Sequence, residues 1–120
     1  MSKTILAVDD DPMALDLIKA VLAAAGYAVL TAVNGKQGLD IAIKSKPALI
    51  LLDIMMPEMD GYSTLSNLKA NAATAKIPVI MVTAVGYELN KQLAQNQGAS
   101  DYITKPIDIK DLRQKVKQYI

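Results

Sequence analysis

The sequence predicts an α/β fold: a doubly wound sheet of five parallel strands with five helices on its two faces. Two observations carry that prediction. Short apolar runs alternate with longer segments of helical period, five times over. The first, third and fourth runs are apolar at nearly every position, the pattern of strands covered by helices on both sides. At 120 residues, 52% of them hydrophobic, the chain has the material for one compact domain over 1–120 and no room for a second.

The expected strands are Thr4–Val8, Tyr27–Ala32, Ala48–Leu52, Ile77–Val82 and Asp101–Thr104. Asp11-Pro12 reads as an N-cap followed by a first-turn proline, and Gly26 marks the far end of that first helix. Asn34-Gly35 opens the second helix, and Pro47 prevents its continuation. Gly61 precedes a third, which runs through Leu65 and Leu68 and ends before Ile77-Pro78. Gly86 and Gly98 bracket a fourth. Asp108, with Asp111 three residues later, caps a fifth whose apolar face is Ile109, Leu112, Val116 and Tyr119. The chain stops where that helix would complete the domain, so no output domain is expected.

Composition narrows the chemistry. With no cysteine there is neither a disulfide framework nor a thiolate metal site, and with no histidine there is no histidine base and no Ser-His-Asp triad. The net charge of +1 gives no reason to expect direct contact with nucleic acid. The opening Met1-Ser2-Lys3 runs straight into the first strand, too short an apolar stretch for a signal peptide or a membrane span. A cytoplasmic protein without membrane insertion is expected.

The polar residues fall at one place in this pattern. Asp9 and Asp10 follow the first run, Asp53 ends the third, Thr83 ends the fourth and Lys105 follows the fifth. All sit at the carboxyl edge of a parallel sheet, where open α/β sheets bind ligands. Clustered carboxylates repel one another unless a cation joins them, and an all-oxygen donor set selects a hard ion such as Mg²⁺. A carboxylate beside Mg²⁺, a lysine and a hydroxyl is the equipment for phosphoryl transfer to aspartate.

Four stretches resemble the response-regulator receiver domains of bacterial two-component systems: Ile5-Leu6-Ala7-Val8-Asp9-Asp10-Asp11, Leu51 through Gly61, Ile80-Met81-Val82-Thr83-Ala84, and Gly98 through Pro106. They occur in family order and spacing and cover essentially the whole chain. The resemblance implies a flavodoxin-like sheet in the order 2-1-3-4-5. It implies that Asp53 is the phosphoacceptor, fed by a histidine kinase or a histidine phosphotransfer protein. Mg²⁺ would be held by Asp10 and Asp53 directly, by Asp9 largely through water, and by the Met55 backbone carbonyl. Thr83 and Lys105 would bind the phosphoryl oxygens, Tyr102 would be the switching aromatic, and the Lys105-Pro106 bond would be cis. Phosphorylation would alter the surface of the fourth helix, fifth strand and fifth helix for an unknown downstream protein. Met55 and Val85 would flank the path of the hydrolytic water, and both are apolar.

The same residues have plainer readings. Asp11 is read as a cap rather than a ligand, and the basic surplus from Lys105 to Lys117 as a solvated face. Met56 is placed on the buried side of its loop. Three other functions compete with a phosphorylated switch. An aspartate-nucleophile phosphohydrolase wants a general acid two residues after Asp53, where this chain has Met55. A flavin carrier wants a hydroxyl-rich phosphate loop, where this chain has Asp9-Asp10-Asp11-Pro12. The third is a receiver whose phosphorylation has fallen out of use, against which the complete site argues. A receiver excised from a larger regulator and a natural single-domain regulator would read alike.

Overall fold

The structure is a computed structural model that describes residues 3–54, 56, 60–84 and 98–120. Its elements run β1 (Thr4–Val8), α1 (Pro12–Ala24), β2 (Ala28–Ala32), α2 (Gly35–Ser45), β3 (Leu49–Asp53), α3 (Gly61–Ala70), β4 (Val79–Ala84), β5 (Asp101–Lys105) and α4 (Ile109–Tyr119). The strands form one parallel sheet in the order β2-β1-β3-β4-β5. The helix expected between Gly86 and Gly98 lies outside the described residues, so α4 is the helix read above as the fifth. No helix among the described residues is long and apolar enough to cross a membrane.

Strand periodicity divides the core into two layers. Ile5, Ala7, Leu49, Leu51, Ile80, Val82 and Ile103 turn to one face, where Leu15, Ile18 and Leu22 of α1 and Leu112 and Val116 of α4 cover them. Leu6, Val8, Ile50, Leu52, Val79 and Met81 turn to the other, against Ala42 of α2 and Leu65 and Leu68 of α3. Burial on both faces is why β1, β3 and β4 read as continuous apolar runs. Met56 is buried with the second layer, as its place in the sequence suggested. Ile109 is not part of the α4 stripe: it is the first helical residue and is 44% exposed.

The helices start where short polar side chains satisfy free backbone N–H groups. Asp11 accepts from Met13 N, Asn34 from Gln37 N and Asp108 from Asp111 N. The third helix departs from the sequence reading in detail. Its cap is Asp60, which accepts from Ser63 N at 2.8 Å, and Gly61 is its first residue rather than a preceding turn. β4 begins at Val79 rather than Ile77, because the Ile77 N–H closes a turn onto Thr74 O at 3.0 Å. β3 and β5 each extend one residue further, so Asp53 and Lys105 belong to their strands.

Candidate functional site

In this order β2 and β3 flank β1 on opposite sides, so the chain reverses its direction across the sheet there, and the crevice at the carboxyl ends of β1 and β3 is the topological switch point. The chain delivers its polar residues there. β1 ends into Asp9, whose N–H donates to Ala32 O at 3.0 Å and whose side chain is 2% exposed. Asp53 closes β3 and is 5% exposed, Thr83 lies in β4 and is 4% exposed, and Lys105 closes β5. Asp10 is on the solvent side.

Gly61 lets these groups sit where they do. A Cβ there would fall 2.5 Å from Asp53 O and 2.6 Å from Ile54 Cα. The helix start is pressed against the backbone at the end of β3, and the Gly61 N–H donates to Ile54 O at 2.9 Å. Only a residue without a side chain permits that approach.

The charges are unequal. One ammonium, Lys105 Nζ, lies 2.8 Å from Asp9 Oδ2 and 3.8 Å from Asp53 Oδ1. Asp9 Oδ1 accepts from Asp11 N at 2.9 Å. Asp9, Asp10 and Asp53 each offer a carboxylate oxygen, and these oxygens all lie within 4.8 Å of one another. Burial pushes the Asp53 carboxyl up, Asp9 and more weakly Asp10 add to it by repulsion, and Lys105 only partly offsets them; the result is about 7. Lys105 moves the other way for a cation. Its own burial disfavours the charge, but the Asp9 and Asp53 carboxylates outweigh that and raise its pKa.

These residues fit a bound hard cation on the structure's own terms. Three carboxylates converge on a point that one lysine does not neutralise, and every donor is oxygen. The fit extends to an oxyanion ligand. Thr83 Oγ1 is buried with no hydrogen-bond partner among the described residues, a donor that a phosphoryl oxygen would satisfy.

The structure thus brings together Asp9, Asp10, Asp53 and Lys105, and places Thr83 at the end of the strand beside Asp53. Tyr102 is half-buried on β5, packed against the α2/α3-side core, with Lys115 Nζ 5.9 Å from its ring centre. The Lys105-Pro106 bond is cis, as the resemblance implied. Met55 and Val85 lie outside the described residues. Two features escaped the sequence reading. One is the close approach at Gly61. The other is a second charged cluster at the amino end of β5. There Lys115 Nζ lies 3.3 Å from Asp101 Oδ1, and the Tyr119 hydroxyl donates to Asp101 Oδ2 and Ser100 O, both at 3.0 Å. Lys115 is therefore not part of a merely solvated face. The available signal was the i, i+4 spacing of Lys115 and Tyr119 on one side of α4.

A doubly wound sheet with three carboxylates, a lysine and a threonine at its switch point defines a signalling receiver, and this chain belongs to the response regulator receiver domain family, whose model matches residues 5–117. It is 42% identical over 113 residues to the DNA-binding dual master transcriptional regulator RpaA of Synechocystis, covering 94% of this chain but only 47% of that protein. It is also 42% identical over 104 residues to Protein PilH of Pseudomonas aeruginosa, covering 87% of this chain and 86% of that one. Among solved structures, the receiver domain of a sensor histidine kinase from Pseudomonas aeruginosa superposes with a TM-score of 0.90 at 28% identity, covering 99% and 98% of the two chains. That structure holds a magnesium ion in its active-site cleft.

Proposed function

We propose that the chain, as a single receiver domain over residues 1–120, is a phosphorylation switch in two-component signalling whose acceptor is Asp53. The observation that carries this reading is the pairing of a buried, incompletely neutralised Asp53 with a buried Thr83 hydroxyl that has no partner among the described residues. An Asp53 carboxylate oxygen attacks the phosphorus of a phosphohistidine, presented by a histidine kinase or histidine phosphotransfer protein. The P–N bond breaks, its electrons return to the imidazole, and an acyl phosphate remains on Asp53. Asp10, Asp53, the Met55 carbonyl and, through water, Asp9 would hold Mg²⁺, which when bound supplies charge neutralisation for the phosphoryl oxygens. Lys105 contributes a fixed positive charge to those oxygens, and the Thr83 hydroxyl donates a hydrogen bond to one of them.

The Thr83 contact is the start of the switch. Drawing Thr83 toward the phosphoryl group lets Tyr102 turn inward and changes the surface formed by β5 and α4, which a downstream protein reads. Two states separated by only about a few kcal/mol suffice for such a shift. The chain turns over no separate substrate; it catalyses its own phosphorylation and dephosphorylation, in the cytoplasm and without contact with nucleic acid.

Incubation with a small phosphodonor and Mg²⁺ should add one acid-labile phosphoryl group, located by mass spectrometry at Asp53. Asp53→Asn and chelation should each abolish it. Mg²⁺-independent labelling, or labelling that survives Asp53→Asn, would refute the assignment.

A further inference from the structure

The two edges of the sheet differ among the described residues. At the β5 edge Asp101 and Lys105 bracket the strand, and the Tyr119 hydroxyl reaches over to Ser100 O at 3.0 Å. At the β2 edge, the run Tyr27-Ala28-Val29-Leu30-Thr31-Ala32-Val33-Asn34 holds no charged residue, no proline and no glycine. α1 and α2 pack against this strand, but Ala28, Leu30 and Thr31 stay exposed beyond them. Leu30 and Val33, at 36% and 52% exposure, are among the large apolar side chains most open to solvent.

The backbone of this edge has a definite pattern. The Ala28 N–H donates to Lys3 O and Ala32 O accepts from the Asp9 N–H, so residues 28, 30 and 32 turn their peptide groups toward β1. By strand alternation Val29 and Thr31 turn theirs outward. The edge is closed off at both ends: the Tyr27 N–H goes to Leu22 O at 3.0 Å, and the Val33 N–H to Gln37 Oε1 at 2.7 Å. What remains open is a short strand presenting two donors and two acceptors.

We propose that this edge pairs with the β2 edge of a second copy, antiparallel about a two-fold axis through Leu30, to form a symmetric dimer with one continuous sheet. Antiparallel pairing about Leu30 sets Val29 opposite the second copy's Thr31, and Thr31 opposite its Val29. Residues that exchange both N–H···O bonds then occur twice, and all four outward groups of each pair are satisfied. Leu30 meets its own copy on the axis at the closely spaced, non-hydrogen-bonded position, and Ala28 faces Ala32. A residue on the axis meets itself, so a charge at Leu30 would forbid the arrangement; here every facing pair is neutral. The pairing is isologous and uses up the open edge, while the β5 edge is guarded, so assembly stops at two.

Sedimentation velocity on the 120-residue chain between roughly 10 μM and 1 mM tests this, a range matched to a weak interface. The chain should shift from monomer to dimer with rising concentration. Val29 and Thr31 amides, followed by NMR hydrogen exchange, should gain protection as it does. Leu30→Lys and Leu30→Glu should each weaken association by tenfold or more, and an equimolar mixture of the two should restore a dimer. A chain that stays monomeric throughout overturns the proposal. So does a dimer whose Val29 and Thr31 amides exchange at the monomer rate, a reading that needs no variant to fold. Association unchanged in both single variants would place the interface elsewhere.

Discussion

At the amino end of β5, Asp101 is answered by Lys115 at 3.3 Å, by the Tyr119 hydroxyl at 3.0 Å and by the Tyr102 N–H at 2.8 Å. At the carboxyl end, Lys105 is the one cation among the described residues that answers Asp9, at 2.8 Å, and Asp53, at 3.8 Å; the Asp11 N–H adds a bond to Asp9 at 2.9 Å, and Asp10 lies beside them. The consequences run in opposite directions. Burial would raise Asp101, but donors from Tyr102, Tyr119 and Lys115 outweigh it and hold its pKa below the usual value. Burial raises Asp53 and its neighbours add to the rise, to about 7. One strand therefore carries a completed ion cluster and an incomplete one. The incomplete cluster is where a ligand gains most by binding, because it supplies the missing charge.

The sharpest way to break this contrast is to remove the one cation that the described residues place at the incomplete end. Lys105→Met leaves Asp9, whose side chain is 2% exposed, without its counter-ion. Truncating one partner of a buried pair is strongly destabilising, so the variant should lose about 3 kcal/mol in urea unfolding at pH 7 without metal. Saturating Mg²⁺ should recover part of that loss by binding the folded state alone. A loss of no more than about 0.5 kcal/mol, the range of an ordinary surface substitution, would mean that Lys105 is not holding the carboxylates together.

Removing a negative charge from the same end should do the reverse. Asp53 is raised from 3.8 to about 7 in the fold, so between those values the folded chain holds more protons than the unfolded one. Stability from this group is thus present at about pH 4 and is lost as pH rises toward 7. Asp53→Asn should leave stability near that of the unsubstituted chain at about pH 4 and be more stable by roughly 2 kcal/mol at pH 8 in chelator. Saturating Mg²⁺ should shrink or invert the difference. Urea titrations at the two pH values check this; a variant less stable than the parent at pH 8 in chelator would show that the site is already neutralised.

The sequence displayed the incomplete cluster far better than the complete one, for a physical reason. Asp9, Asp53, Thr83 and Lys105 each stand at the end of an apolar run, and parallel strands bring such ends to one edge whatever their separation in the chain. The central strands were legible because burial on both faces leaves their interiors apolar, with polar residues only at or near their ends. The Asp101–Lys115–Tyr119 cluster joins a strand to a helix across 14 and 18 residues, and its partners depend on how α4 is rotated against the sheet. Periodicity gave the apolar face of α4 but not the reach of Lys115 around it. Gly61 was visible as a helix boundary; that a Cβ would strike Asp53 O is a fact of packing between β3 and α3. Asp60 does not stand out as a cap in the sequence because Gly61 beside it already carries a boundary signal. The late start of β4 followed from a turn, Thr74 to Ile77, that no single residue announces.

The smallest effect belongs to the completed cluster. Asp101→Asn keeps the shape of the side chain while removing the charge that Lys115 and the Tyr119 hydroxyl answer. The side chains of Lys115 and Asp101 are 26% and 19% exposed, so water screens the pair and its contribution should be about 1 kcal/mol at pH 7. The pKa of Asp101 is depressed in the fold, so its stabilisation is present above the unfolded value of 3.8 and is lost as pH falls through the lower folded value. The variant and the parent should therefore differ at pH 7 and converge at about pH 3. That is opposite to the behaviour of Asp53→Asn, whose difference from the parent opens as pH rises. Mg²⁺ should have no influence on the Asp101→Asn difference, and the rate of Mg²⁺-dependent phosphorylation at Asp53 should stay within about twofold of the parent, well under the tenfold that 1.4 kcal/mol would bring. If instead Asp101→Asn slows phosphorylation tenfold or makes stability sensitive to Mg²⁺, the two ends of β5 are one electrostatic unit and the contrast between them fails.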